Sequence, residues 1–363
     1  EAKRLTVLDI HRELYMLLVK NENPLWSASE REVIKEEMKG AMERWWRTGE
    51  IYLEKPRLTD ERSNVMHYFI NVFPNVLHLT DQRLLDAWEY VGFSTKLLER
   101  PEQFPALKFG SWVGGDRDGH PYVTPDFTAE TLQLHRQAAL RIIRNELVQL
   151  ARKLSFSEFL NDIPSEFISD IEVQAELLGE AGQKALKRNP SEPLRQFINV
   201  LLVRLDNTTT ERFELADKRC YDGPDDLSSE LKKLRNLLIY LKADHVAKQH
   251  LFPVERILNC FGFHLAKLDI RQNSEYHEKA MDQILEASGY VDSGYSTWDE
   301  EKRLSFINQE LQINRPFLAA GTSCGMEADN VLGYFTEVKN YVDRYGTDGI
   351  GSVIISMTRS LSD

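Results

Sequence analysis

The spacing of apolar residues constrains this chain more than any other feature: they recur at three- and four-residue steps along most of its length, and only three short runs break the rhythm. From Ser27 to Trp46 the apolar positions Val33, Ile34, Met38, Ala41, Met42 and Trp45 share one side of a helix, and Ser27 with Glu30 reads as a capping box. Comparable patterns predict helices over 4–19, 60–91 with a break at Pro74, 129–154, 191–205, 227–246, 274–288, 300–311 and 328–345. Stretches mixing Gly, Pro, Asn, Asp or Ser at 21–27, 187–193, 221–226 and 319–326 read as loops, not as domain linkers.

The three exceptions are strand-like. Leu107 to Val113 runs into a glycine-rich polar loop, 263–270 alternates apolar and polar side chains, and 352–357 is a compact β-branched run of the kind that fills buried parallel strands. Strands so few, separated by long helical stretches, do not make an ordinary open sheet. They suit part of a barrel whose connections have grown into helical layers, so the fold class expected is mainly α with a few parallel strands, one piece of a TIM-like (β/α)8 barrel.

Charge and cysteine content narrow the setting. With 45 Lys+Arg against 57 Asp+Glu the chain carries a formal −12, the wrong sign for a phosphate-backbone partner, so no nucleic acid is expected. A hydrophobic fraction of 42% supports a sizeable core and excludes disorder of the whole. No apolar run approaches the roughly 18 to 20 residues that span a bilayer, and no membrane partner is expected. Cys220, Cys260 and Cys324 fit neither a paired disulfide framework nor a CxxC metal site, and a reducing cytoplasm is the simplest location. Both ends read as cut: no initiator methionine opens the chain, and it stops just after an apolar run.

Chemistry concentrates beyond the first two strand-like runs. In Phe109-Gly-Ser-Trp-Val-Gly-Gly-Asp-Arg-Asp-Gly-His-Pro121 a strand delivers Trp112, and Gly114, Gly115 and Gly119 permit close approach of backbone amides to a ligand. Asp116 and Asp118 flank Arg117 and can hold its guanidinium fork in one orientation, an anion clamp at a strand's C-terminal end; a solvated turn with local ion pairs is the other reading. Counted from Asp116 as a calcium loop, Pro121 stands where Gly is needed and Phe127 where Glu is needed, so calcium is rejected. Arg271 stands just past the second run, placed either for bidentate recognition of phosphate or carboxylate or for pairing with Asp269. The third run with Arg359, Ser360 and Asp363 reads alone as a buried strand and turn. His120 and His277 lie nearest these loops, but neither has a spacing that identifies a base.

That loop with Val123-Thr124, and Leu268-Asp-Ile-Arg-Gln-Asn-Ser274 with His277 beyond it, resemble phosphoenolpyruvate carboxylase over the full length of the chain. Three weaker matches stand in the right order. Glu1-Ala2-Lys3-Arg4 resembles the end of the family's His-Pro-Thr-Glu-x-x-Arg motif, Asn314-Arg315-Pro316 its Lys-Arg-Pro segment, and Ile355-Ser356-Met357 with Ser362-Asp363 its Ile-Ser-Met and Ser-Asp stretch. His120 stands where the family commonly has Asn, and Asn273 where it commonly has Glu.

The resemblance implies a helix-rich modified (β/α)8 barrel of which residues 1–363 form a single incomplete domain. It also implies the joining of phosphoenolpyruvate to bicarbonate, with Mg²⁺ or Mn²⁺, to give oxaloacetate and phosphate through carboxyphosphate and the enolate of pyruvate. Arg271 would hold phosphoenolpyruvate or the phosphate leaving it, with Arg117 a second catalytic arginine. Trp112 and the Gly114-Gly115 turn would border the pocket, Arg4 would face the same mouth, and Asp116, Asp118 and Gly119 would support the loop. Metal ligands would lie beyond Asp363 and the family's catalytic histidine just before Glu1, so this chain alone would be inactive. A cytoplasmic homo-oligomer, a tetramer by resemblance, completes the expectation. A helical scaffold that lost the chemistry, or another phosphoenolpyruvate-using barrel enzyme, stands beside it.

Overall fold

A computed structural model describes residues 2–48, 57–118, 122–210, 219–316, 318–319 and 321–363, with backbone alone for 2–5. The chain forms two compact units, residues 1–64 and 65–363. In the first, α1 (Ala2–Asn21) packs on α2 (Ala28–Arg47), burying Ile10, Leu17, Ile34 and Ala41. The Ser27–Glu30 box closes as its spacing requires: Ser27 Oγ accepts from the Glu30 N–H at 3.3 Å and Glu30 Oε2 from the Ser27 N–H at 2.9 Å. α3 (Leu58–His67) runs across the division.

The second unit opens with a π-helical turn, Tyr68–Val72, followed by α4 (Phe73–Tyr90). A proline within a helical pattern cannot donate a hydrogen bond, and its ring crowds the carbonyl four residues back. The chain relieves that crowding by widening one turn, so that the Phe73 N–H bonds Tyr68 O just ahead of Pro74. Pro74 therefore marks a π turn between two continuous helices. The same solution recurs after the short α10 (Asp244–Val246): the Phe252 N–H bonds Ala247 O, and Pro253 sits at the start of α11 (Phe252–Phe261).

Between them lie β1 (Gly110–Ser111), α5 (Pro125–Lys153), α6 (Ser165–Leu177), α7 (Glu180–Lys187), α8 (Pro193–Thr209) and α9 (Pro224–Tyr240). α5 is the central pillar. It packs on α8 and α11 and buries Leu140, Ile143, Leu147 and Leu150 against Phe197, Leu201, Leu205 and Phe261. The periodicity left α6 and α7 unread, and it ran one helix across 227–246 where the chain turns at Lys242 with φ +56°.

β2 (Lys267–Asn273), α12 (Ser274–Ala287), α13 (Glu300–Glu310), α14 (Met326–Tyr345) and β3 (Ile350–Ser356) complete the order. The strands form one parallel sheet, β1-β2-β3, with Gly110 opposite Lys267 and Ile270 opposite Val353. The strand expected over 263–270 starts only at Lys267. α11 runs on to Phe261, and Gly262 and Leu265 both take positive φ to turn the chain into β2. The described residues form an open sheet of three parallel strands within helical layers; a closed barrel is not shown.

A buried ion pair locks these layers, and a buried histidine stands near the start of β2. Arg256, 1% exposed, donates to both carboxylate oxygens of Asp81 at 2.7 and 3.0 Å and to the carbonyls of Pro101 and Pro105, joining α11 to α4 and to the segment entering β1. Removing one partner leaves an uncompensated buried charge, so Arg256→Ala should cost about 3–5 kcal/mol in urea unfolding. His264 packs against Gly262, where a Cβ would lie 2.7 Å from its ring. Burial drives its pKa down to about 4, with Lys108, Lys267 and His135 adding to the effect and Asp348 opposing it.

An unfolded histidine titrates near 6.5, so the stability His264 contributes is full above that pH and lost as pH falls toward 4. Between pH 7 and 4 the stability of the native chain should drop by up to about 3 kcal/mol more than that of His264→Gln. Parallel curves for the two proteins would refute this.

Candidate functional site

The C-terminal ends of the three strands converge on one arginine. After β1 the chain folds into a tight turn in which the N–H groups of Gly115 and Asp116 both bond Trp112 O at 2.9 Å. It then returns alongside β2: the Arg271 N–H donates to Gly115 O at 2.8 Å and the Arg117 N–H to Arg271 O at 2.9 Å, an added parallel bridge opposite Asp116. Both glycines are dictated by this return. Gly114 has φ +95°, and a Cβ on Gly115 would stand 2.0 Å from the Asp269 carbonyl oxygen.

Arg271 is thereby fixed by its backbone before its side chain makes any contact. Its Nη2 donates to Asp269 Oδ2 at 3.0 Å, its guanidinium carbon lies 5.2 Å from the Trp112 ring, and its Nε is without a hydrogen-bond partner. Asp269 serves two masters, because its Oδ1 accepts the Ser352 N–H from β3 at 3.0 Å. Arg271 thus pairs with Asp269 and still keeps a part-exposed cationic face beside Trp112, which is 52% exposed. The pairing with Asp269 is thus present, and it takes one nitrogen of the fork.

Arg117 is placed differently from its expected position. Its guanidinium is not gripped by Asp116 and Asp118; it turns inward, 6% exposed, donating to Gly115 O and to Thr128 Oγ1 and lying 4.2 Å from the Tyr334 ring centre. Burial pulls its pKa down to about 10, so it remains a cation at neutral pH. The reason is packing: α5 and α14 present a hydroxyl and an aromatic face directly beneath the loop, a better-enclosed site than two solvated carboxylates. Asp116 Oδ1 instead accepts the Asp118 N–H at 3.0 Å, and Asp118 Oδ2 accepts the Ser356 hydroxyl at 2.5 Å, tying the loop across to the end of β3.

Sequence reasoning missed Thr128 and Tyr334, and it names Ser356 only within the Ile-Ser-Met stretch, with no role of its own. Thr128 carried a local signal, since Thr124 caps α5 by accepting from the Phe127 N–H and directs the next turn toward the Gly114 carbonyl, which Thr128 Oγ1 meets at 2.7 Å. Tyr334 carried none. Beyond β3, Glu278 accepts from both Arg303 and Arg359, and Asp363 accepts from Arg359, so the exit of the strand is pinned to α12 and α13. Gly119 and His120 lie outside the described residues, as does the side chain of Arg4. His277 sits behind the loop, 3.3 Å from the Tyr334 hydroxyl, its pKa lowered by burial. Among the described residues no three His, Cys, Asp or Glu side chains are grouped to hold a metal ion.

The family model of phosphoenolpyruvate carboxylase matches residues 1–363. Similar curated proteins include phosphoenolpyruvate carboxylases of Methylorubrum extorquens, 31% identical with all of this chain matching 39% of that protein; of Roseiflexus castenholzii, 30% identical with all of this chain matching 39%; and of Nostoc, 29% identical with 93% of this chain matching 33%. The chain spans between a third and two fifths of the length of these relatives.

The loop geometry is directly testable. Gly115→Ala forces a methyl group into the Asp269 carbonyl, so the bridge between the loop and β2 must open. A loss of more than about 2 kcal/mol in unfolding free energy is expected, together with faster exchange of the Arg117 and Arg271 amides. Wild-type protection of both amides in that variant would refute the account.

Proposed function

Because the chain belongs to the phosphoenolpyruvate carboxylase family, we propose that it forms part of the mouth of an enzyme joining phosphoenolpyruvate to bicarbonate, releasing oxaloacetate and phosphate. The observation that carries this reading is Arg271: a part-exposed cation near the C-terminal end of the central parallel strand, fixed by Asp269 through one nitrogen and by backbone pairing to the loop, with its guanidinium beside Trp112. A guanidinium in that setting binds phosphate or carboxylate through two parallel N–H donors. Held in place beforehand, it reorganises little as charge moves during reaction. The reacting centre passes through carboxyphosphate, which water would destroy, and the Trp112 indole with the Gly114-Gly115 turn forms a wall that keeps solvent from it.

Arg117 acts in this reading from beneath. It holds Gly115 O and so keeps the wall in register with β2. Asp116 and Asp118 support the loop, Asp118 through Ser356. The divalent ion the family uses would polarise the anionic substrates; the described residues offer no ligand set for it, and no step here is routed through it. The three parallel strands, with Val353 half-exposed on the edge strand β3, suit one arc of a barrel that continues beyond them. Among the described residues no helix is long and apolar enough to cross a membrane, and a cytoplasmic homo-oligomer, a tetramer by family, completes the proposal.

Assay of a longer protein containing this chain, with phosphoenolpyruvate, bicarbonate and Mg²⁺ and oxaloacetate read through malate dehydrogenase, should give bicarbonate-dependent product; the 363-residue chain alone should give none. Arg271→Ala should lower kcat/KM by about 10²–10³-fold, the cost of one preorganised charge-stabilising donor. Absence of bicarbonate-dependent product would favour a scaffold that lost the chemistry. Near-wild-type turnover in Arg271→Ala would remove the site assignment and leave the family assignment standing.

A further inference from the structure

A second set of cations gathers at the other end of the sheet. Between α9 and the turn Pro101–Gln103 lies a groove of about 560 Å³ lined by three cations, Arg100, Lys232 and Arg235, two amides, Gln103 and Asn236, and a single carboxylate, Glu102. In a chain of net charge −12 this is a local reversal of sign. At Glu102 and Arg235 the groove meets a neighbouring cleft of about 210 Å³ and of mixed charge, where Lys108, just before β1, and Lys267, the first residue of β2, stand with Asp225, Glu255 and Asp348. The cleft therefore sits by the N-terminal edge of the strands and the groove adjoins it, whereas Arg271 and its loop lie at the C-terminal edge.

The donors are committed only in part. Arg235 spends Nε and Nη2 on Glu255, at 3.1 and 2.6 Å, which fixes the side chain and leaves Nη1. Gln103 Oε1 accepts the N–H groups of Glu99 and Arg100 at 3.0 and 2.8 Å, leaving its amide N–H₂ to donate. Lys232 meets Glu102 at 3.1 Å, but both side chains are about half exposed, so that pair is weak and readily exchanged for a stronger anion. Among the described residues the Arg100 guanidinium has no ion-pair partner.

The Arg100 fork, the remaining Arg235 nitrogen, an ammonium and two amide donors beside one carboxylate match a ligand with several anionic oxygens. The volume admits one small molecule. We propose that this groove binds a small polyanion, a phosphorylated or polycarboxylic metabolite.

The test is calorimetric titration of the 363-residue chain with pyrophosphate and, separately, with citrate, at constant ionic strength, repeated in Arg271→Ala so that an anion at the C-terminal edge is told apart. At least one probe should bind saturably in both proteins, and Arg100→Ala with Lys232→Ala should weaken it at least tenfold with an unchanged far-UV spectrum. Should that double variant misfold, Asn236→Asp at an exposed position, which adds a second carboxylate to the groove, should weaken binding likewise. Pyrophosphate alone binding assigns a phosphorylated ligand, citrate alone a polycarboxylate, and both together a site that reads charge only. No saturable binding of either probe, unchanged affinity in the folded groove variants, or loss of binding in Arg271→Ala overturns the proposal.

Discussion

A cation sealed away from water holds the candidate site together. The Arg117 guanidinium lies beneath the loop that follows β1, with Gly115 O and Thr128 Oγ1 as acceptors and the face of Tyr334 against it. A buried charge is tolerated only where its surroundings replace water, and here each replacement comes from a different element: the loop, α5 and α14. The loop cannot shift without stripping the arginine of a partner. Its backbone is tied on the other side to β2, and so the position of Arg271 is set by the same constraint.

The helical layers serve that arrangement by controlling where strands begin and end. Arg256 and Asp81 join α11 to α4 at the entry to β1, while Glu278, Arg303 and Asp363 anchor the exit from β3. The paired charges sit where the sheet meets its helical surroundings, and the apolar interior around α5 fills the space between. A short strand such as β1, with only two paired residues, has little ladder of its own to define it. Its register comes from these flanking contacts.

The parts of the fold that were legible in the sequence are those whose causes are local. Ser27 and Glu30 cap a helix through contacts three residues apart, and Pro74 disturbs only the turn around it. Gly114 and Gly115 announced a close backbone approach without saying to what. The residues 263–270 alternate as a strand would, yet β2 begins only at Lys267, because the preceding helix claims Phe261 and the left-handed residues Gly262 and Leu265 turn the chain first. Helical periodicity also missed α6 and α7, which bury few side chains.

By itself the sequence determined the helical character, the number of strands, the motif residues that carry the family likeness and the two arginines at the strand ends, because each follows from side-chain chemistry and backbone preference over a few positions. Tertiary structure decided what those arginines do. Arg117 chose Thr128 and Tyr334 over its flanking aspartates, and Arg256 found Asp81 across 175 residues, since burial and enclosure depend on which distant surfaces meet. Two arginines of identical chemistry thus part company: packing buries Arg117 beneath the loop and leaves Arg271 part-exposed at the edge of solvent.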